Sequence, residues 1–379
     1  MMADLPQMTR SRRATLTALL LSLMLAACEP SSSGAPEGFA GLGESLSTAE
    51  QGDYRQPGPG DRIQLPEDLG PHPAHRIEWW YLTANLTTSA GEPLGLQWTQ
   101  FRQALEPRSP QAPPPPASDW PLQAVWMAHA AVSLDGEHRF AERLARADIG
   151  HAGARATPFA VWLDHWQLRQ TEAGHWRLQV STGDWSFDLT LTPGREPVRH
   201  GDNGFSAKSA SGEGSMYFSY VDLAIEGEVV LAGQRHQVSG TGWFDREWSS
   251  QFLKAGQQGW DWFALHLDSG DKLMAFRLRE SGADAGGFRA GTWIPAGGEP
   301  VSLRQEDLRI SAISRREISR GAVPSQWQLR LPDQGVELTV TARPGDYWNT
   351  GLFPYWESPV TVRGSHTGVG YMELTGYGD

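Results

Sequence analysis

The chain has 379 residues with a single Cys and 17 Trp, and it carries a formal net charge of −12. That acidic balance argues against nucleic-acid binding and against docking to a membrane through a basic patch, because both need clustered Lys and Arg. One Cys leaves no disulfide framework and no Cys-based metal site, so a hydrophobic core must stabilise the fold.

Residues 1–27 read as a bacterial export signal. Arg10, Arg12 and Arg13 form a positive n-region, and Thr15 to Ala27 is an apolar stretch too short to anchor as a membrane span. It ends in Leu25-Ala26-Ala27-Cys28, the small-residue-then-Cys pattern of a lipoprotein signal. Cys28 is therefore the expected lipidation site, and the membrane is an expected partner through that anchor. Glu29, where an Asp would favour inner-membrane retention, points to a periplasm-facing protein of the outer membrane. An ordinary signal peptide with a chance Cys is the alternative, and Ser11-Arg12-Arg13 leaves the twin-arginine route open. Residues 28–61 are rich in Ser, Gly, Pro and Glu and read as a flexible tether. Pro110 to Pro116 cannot form strand or helix and reads as a stiff surface loop.

From residue 75 onward, apolar alternation and Gly-bearing turns dominate, and 3.6-residue periodicity is scarce. The chain is predicted to be all-β. It also echoes itself. Glu78-Trp79-Trp80-Tyr81 opens a strand that turns near Gly91 and returns to Phe101-Arg102; Trp260-Asp261-Trp262-Phe263 opens one that turns at Gly270 and returns to Phe276-Arg277. Near the end of each half, Gly240-Thr241-Gly242-Trp243-Phe244-Asp245 parallels Gly368-Val369-Gly370-Tyr371-Met372-Glu373, each after a Gly turn expected at Gly227 and Gly364. The spacing predicts a tandem duplication of antiparallel β-domains over 62–248 and 249–379. Closure into barrels removes exposed strand edges and offers an interior for an elongated apolar ligand. The Trp residues suit cavity walls as well as core filling.

These segments, with Gly201-Asp202-Asn203-Gly204-Phe205-Ser206-Ala207-Lys208, Trp243-Phe244-Asp245-Arg246-Glu247-Trp248, Tyr355-Trp356-Glu357 and Gly370 to Tyr377, resemble the AttH-like branch of the carotenoid 1,2-hydratase (hydroxyneurosporene synthase) family from residue 70 onward. The resemblance implies two lipocalin-like β-barrels in one chain. Members of that family hydrate terminal double bonds of acyclic carotenoids, and fungal relatives cyclise polyenes. Many exported bacterial members carry a secreted-hydrolase label or are encoded beside ABC-transporter permeases.

Glu78 is expected opposite Arg102, forming a structural clasp in which the cation holds the carboxylate ionised. Asp245 and Glu247 share a strand face with Trp243, and a hairpin across 249–259 would bring Asp261 beside them. Three crowded carboxylates raise at least one pKa, so Asp245, Glu247 and Asp261 are the candidate catalytic acids. The competing reading is a structural clasp with Arg246, Lys254 or Arg277. Trp79, Trp80, Trp243, Trp248, Trp260, Trp262, Tyr355 and Trp356 are the candidate ligand-binding aromatics, in the barrel interiors or at the domain junction. Glu357 reads either as part of a site lacking in the first half or as a solvated edge residue.

No metal and no cofactor are expected. His72-Pro73-Ala74-His75 lies in a Pro-rich approach rather than on a helix, and His266 has the parity of a core residue. No Gly-x-Ser-x-Gly nucleophile elbow occurs. The leading functional expectation is a lipid-anchored, lipocalin-like binder of a terpenoid, polyene or acyl lipid. A cofactor-free hydratase or cyclase is the alternative, and an accessory lipoprotein partnering an ABC-transporter permease is a further one.

Overall fold

The structure, a computed structural model, describes residues 54–107, 123–147, 150–251, 256–280 and 287–378. Cys28, most of the expected tether, the Pro-rich stretch at 110–116 and Lys254 lie outside the described residues.

Alternation builds the strands. Trp185, Phe187, Leu189 and Leu191 are buried while Ser186, Asp188, Thr190 and Thr192 between them are half-exposed, a one-sided pattern that seats a strand on a core. The first antiparallel sheet contains β1 (Ile77–Thr88), β2 (Pro93–Ala104), β3 (Ala124–Leu134), β4 (Glu137–Arg146), β5 (Ala152–Arg155), β6 (Ala160–Leu163), β7 (Trp166–Gln170), β8 (Trp176–Ser181), β9 (Trp185–Pro193), β10 (Val198–Arg199), β11 (Phe205–Ala207), β12 (Gly214–Leu231) and β13 (Gln234–Ser249). The second contains β14 (Gln257–Leu267), β15 (Lys272–Glu280), β16 (Phe288–Ile294), β17 (Val301–Leu303), β18 (Arg309–Ile318), β19 (Gly321–Leu331), β20 (Val336–Ala342), β21 (Trp348–Asn349), β22 (Tyr355–Gly364) and β23 (Gly368–Leu374). The fold is all-β, and the two sheets curl into a barrel and a half-barrel of lipocalin-like type.

The internal echo is visible in the strand order. The first sheet runs β4-β3-β2-β1-β13-β12-β9-β8-β7-β6-β5, and the second runs β17-β16-β15-β14-β23-β22-β20-β19-β18. Each half thus places its opening strand (β1 or β14) beside its last strand (β13 or β23). The paired glycines have a common cause. A Cβ on Gly240 would lie 2.2 Å from the Asn85 carbonyl oxygen, and one on Gly368 would lie 2.2 Å from that of His266. Gly227 does not make the turn expected of it. It lies inside β12 with φ 151°, its α-carbon pressed against β9, while Ala232 and Gly233, both at positive φ, make the two-residue turn into β13. Close approach between backbones, not a reversal, is what requires glycine at 227.

Three apolar clusters follow from strand parity. One fills the first sheet's concave side with Trp80, Leu82, Trp98, Phe244 and Trp248. Another fills the second with Phe263, Trp327, Trp356 and Met372. The third joins the outer faces of β1, β12 and β13 to those of β14, β15 and β23, through Tyr81, Tyr217, Trp243, Trp262, Phe276 and Tyr371. Side chains one residue apart on β1, β13 and β14 therefore face different clusters, and this places the polar groups.

Candidate functional site

A cavity of about 110 Å³ opens within the third cluster, between the two sheets. Aromatic rings form most of its wall: Trp79, Phe101, Tyr217, Trp260, Trp262 and Phe276. Asp245, Glu247, Glu373, Lys208, Tyr81 and Tyr355 also line it.

Asp245 is 2% exposed. It accepts hydrogen bonds from Tyr217 Oη (2.9 Å), from Trp243 Nε1 (2.6 Å) and from the Ser219 hydroxyl. Burial nonetheless pushes its pKa up to about 7, against those three donors, and the neighbouring Glu247 charge adds to the rise. Ser219 is in turn 2.7 Å from Nε2 of His200, whose Nδ1 lies 2.8 Å from the Thr292 hydroxyl. Burial, helped by Lys208, lowers the His200 pKa to about 3, so this imidazole is neutral.

Glu373 occupies the matching position in the second half. It accepts a hydrogen bond from Trp260 Nε1 and keeps part of its surface on the cavity. Burial raises its pKa to about 7 against the Trp260 and Tyr81 hydrogen bonds. Glu357, its cross-strand neighbour, accepts from the Tyr81 hydroxyl and from Asn349 Nδ2 (3.2 Å). Burial, with Glu373 adding, holds Glu357 well above the usual carboxylate range. The expectation of a solvated edge residue at 357 is wrong: Glu357 is 1% exposed, because β22 is covered on this face by the first sheet. Glu247 differs from these three in having a cation, Lys208 Nζ at 2.9 Å, and also accepts from Ser215. The Lys208 ammonium lies over the Phe276 ring (4.3 Å) and the Tyr217 ring (5.1 Å).

Asp261 is not brought to Asp245 and Glu247. Trp260 and Trp262 face the cavity, so the residue between them points to the opposite side of β14. There Arg277 Nε (2.8 Å), Arg279 Nη1 (2.6 Å) and Tyr377 Oη (2.9 Å) surround its carboxylate. Glu78 likewise faces the interior of the first sheet. It pairs with Arg102 (3.2 Å) and also with Arg246, which is fully buried and stacked over Trp80 at 4.0 Å. Burial opposes ionisation of Glu78, but the two guanidinium groups outweigh it and hold the carboxyl far below its usual range.

Among the expected ligand-binding aromatics, Trp79, Trp260, Trp262 and Tyr355 line the cavity. Trp80, Trp248 and Trp356 do not, because their parity turns them into the packed interiors. Trp243 lies behind Asp245 and serves it through its indole N–H. Sequence reasoning missed Tyr81, Tyr217, Glu373 and Lys208. The signal for Glu373 is the echo of Asp245 by Glu373, and Lys208 closes the Gly201-to-Lys208 segment. Among the described residues, no group of three or more His, Cys, Asp or Glu is arranged to hold a metal ion.

No curated protein matches the chain. Among solved structures, an AttH protein from Nitrosomonas europaea is 31% identical, with a TM-score of 0.76, over 86% of this chain and 100% of that one. Kievitone hydratase from Nectria haematococca shares the fold at 16% identity and a TM-score of 0.62, over 86% of this chain and 96% of that one. The family model described as AttH-like matches residues 56–377. The chain belongs to the AttH-like family.

Proposed function

We propose that the protein binds the unsaturated, apolar end of a small molecule between its two sheets and adds water to it, or removes water, by acid–base catalysis. One observation carries the reading: two carboxyl groups at equivalent positions of the two halves, Asp245 and Glu373, face one aromatic cavity with pKa values near 7. A group poised near the working pH is both a competent donor and a competent acceptor. Glu373, with Trp260 on one oxygen and part of its surface on the cavity, protonates an alkene carbon. The π electrons form the new C–H bond, and the cation left on the neighbouring carbon faces the rings of Trp79, Trp262 and Phe276. Asp245, whose anion three donors stabilise, takes a proton from water as the oxygen bonds to that carbon. Lys208 and Glu247 form an ion pair at the rim and orient the entering polar group.

A cavity of about 110 Å³ is close to the size that accepts one small ring, roughly 150 Å³ in an engineered apolar cavity. It therefore takes an end group and not a whole elongated ligand. A larger groove of about 1150 Å³ shares Phe276 as a wall; Met274 and Phe288 line it together with Arg289, Arg304 and Arg309, and its apolar side supports the body of an extended terpenoid, polyene or acyl ligand outside. Lipid anchoring at Cys28 in a periplasm-facing outer membrane is supported by the Leu25-to-Cys28 segment. Mass spectrometry of the membrane-extracted protein tests it, and an unmodified thiol contradicts it.

The reaction is tested by incubating the protein in ¹⁸O-labelled water with acyclic terpenoid and polyene alcohols and alkenes. Incorporation of one ¹⁸O that disappears in Asp245→Asn and Glu373→Gln supports hydration. Ligand retained in native mass spectrometry without incorporation reduces the function to binding, and a protein that shows neither incorporation nor retention overturns the proposal.

A further inference from the structure

A line of polar residues crosses the first sheet on the face turned toward the second. Asp245, Tyr81, Thr99, His129 and Glu142 are successive cross-strand partners on β13, β1, β2, β3 and β4. Trp79, Phe101, Phe140 and Trp243 flank the line on that face, so it runs between aromatic rings. At its far end Tyr355 reaches across from β22 of the second sheet. Its hydroxyl lies 3.0 Å from His129 Nδ1, and His129 Nε2 lies 2.9 Å from Glu142 Oε2. Tyr355 lines the cavity, His129 is fully buried, and the Glu142 side chain is 17% exposed. The chain of contacts thus begins at the cavity and ends at solvent.

We propose that Tyr355, His129 and Glu142 form a proton relay between the cavity and bulk water. Its role rests on the acid–base reading above, in which hydration empties Glu373 of a proton and loads Asp245 with one, so the pair must exchange protons with solvent before the next turnover. The donor and acceptor directions are fixed by chemistry. Glu142 accepts a second bond from the Leu352 backbone N–H at 2.9 Å. Burial works to raise its pKa, but the His129 and Leu352 bonds outweigh it and keep the group a carboxylate. Burial lowers the His129 pKa, so the ring is neutral and carries its single proton on Nε2, toward that carboxylate. Nδ1 is then an acceptor. Gln97 Nε2 donates to Tyr355 Oη at 2.7 Å, so the tyrosine's own proton is the one directed at Nδ1.

A proton reaching Tyr355 Oη from the cavity displaces the hydroxyl proton onto His129 Nδ1 while the Nε2 proton passes to Glu142, which releases it to water. One proton enters and one leaves, and no bond between heavy atoms changes. The reverse sequence delivers a proton. Tyr81, Glu357 and Glu373 are the other titratable groups close to Tyr355 on this interface; Tyr81 and Glu357 are buried, and Glu373 is one of the two cavity acids that the relay serves.

The test needs no substrate. The full-length protein is jumped from about pH 8 to about pH 6 in a stopped-flow infrared cell, and the carbonyl band of protonated Glu373, assigned by its loss in Glu373→Gln, is followed in time. His129→Gln and Glu142→Gln are each expected to slow its appearance by about tenfold or more, as for loss of a positioned proton carrier, with the equilibrium midpoint little changed. A purely structural role would move the midpoint or the stability, not the rate. Glu142→Gln, at the part-exposed end, keeps the test available if the buried His129 variant does not fold. Wild-type rates in folded variants overturn the relay alone. A Glu373 that stays ionised at both pH values overturns the acid–base reading and the relay with it.

Discussion

Replacing Asp245 by Asn changes how stability responds to pH, and the structure sets the sign and size. In the unfolded chain an Asp ionises near 3.9; in the native protein, burial pushes Asp245 up to about 7. Between those values the native state holds a proton that the unfolded state has released, so stability falls as pH rises through this window. The loss is complete above the native pKa. Integrating the difference gives a loss of about 1.5 kcal/mol by pH 5 and about 4 kcal/mol by pH 9, so about 2 to 3 kcal/mol separates the two pH values. Asn cannot ionise and lacks this dependence. It does present an N–H₂ to Tyr217, Ser219 or Trp243, and a mismatched buried donor costs about 1–3 kcal/mol at either pH. Guanidinium unfolding of both proteins at pH 5 and pH 9 isolates the ionisation effect, because the mismatch cancels. The stability difference should move in favour of the variant by about 2 to 3 kcal/mol from the lower pH to the higher. A difference that stays constant, or moves toward the wild type, refutes the claim that Asp245 is held protonated by burial.

Arg246→Ala leaves Glu78 buried with its nearest cation removed, and guanidinium unfolding should show a loss of about 3–5 kcal/mol; a change near zero would mean that Arg102 alone neutralises it. Asp261→Asn should lower stability while leaving apolar-ligand binding, read by native mass spectrometry, unchanged; lost binding would return Asp261 to the site. Trp262→Ala removes a cavity wall and should weaken retention of a ring-sized probe such as toluene, measured by calorimetry, by roughly tenfold or more on the scale of a buried aromatic contact. Unchanged affinity would place the ligand elsewhere.

Much of the architecture was legible because parity and repetition are written directly in a β sequence. The echo of Glu78-to-Tyr81 in Trp260-to-Phe263 and of Gly240-to-Asp245 in Gly368-to-Glu373 foreshadowed two sheets with the same strand order. The site was only half legible, because it lies between the sheets and depends on which face each strand turns to its partner. Alternation says that Asp245 and Glu247 share a face; it does not say that β14 turns Trp260 and Trp262, and not Asp261, toward that face. Asp261 is near Asp245 and Glu247 along the chain but on the opposite side of β14 from the cavity. The same echo, carried to its end, sets Glu373 beside Asp245 as the partner acid. Arg277 paired with Asp261 and Arg102 paired with Glu78 show that acids facing a sheet interior meet cations. The acids facing the cavity mostly meet hydroxyls and indoles.

The account stands on two carboxyl groups that share one cavity and titrate near neutrality. Equilibrium infrared titration of the carbonyl bands, with Asp245→Asn and Glu373→Gln to assign them, measures this without any ligand. Two bands belonging to protonated carboxylic acids should persist at about pH 6 and fade between about pH 6 and 8, one lost in each variant, as burial requires. Ionisation of both groups below about pH 5, within the range of solvated carboxylates, would contradict the proposed site.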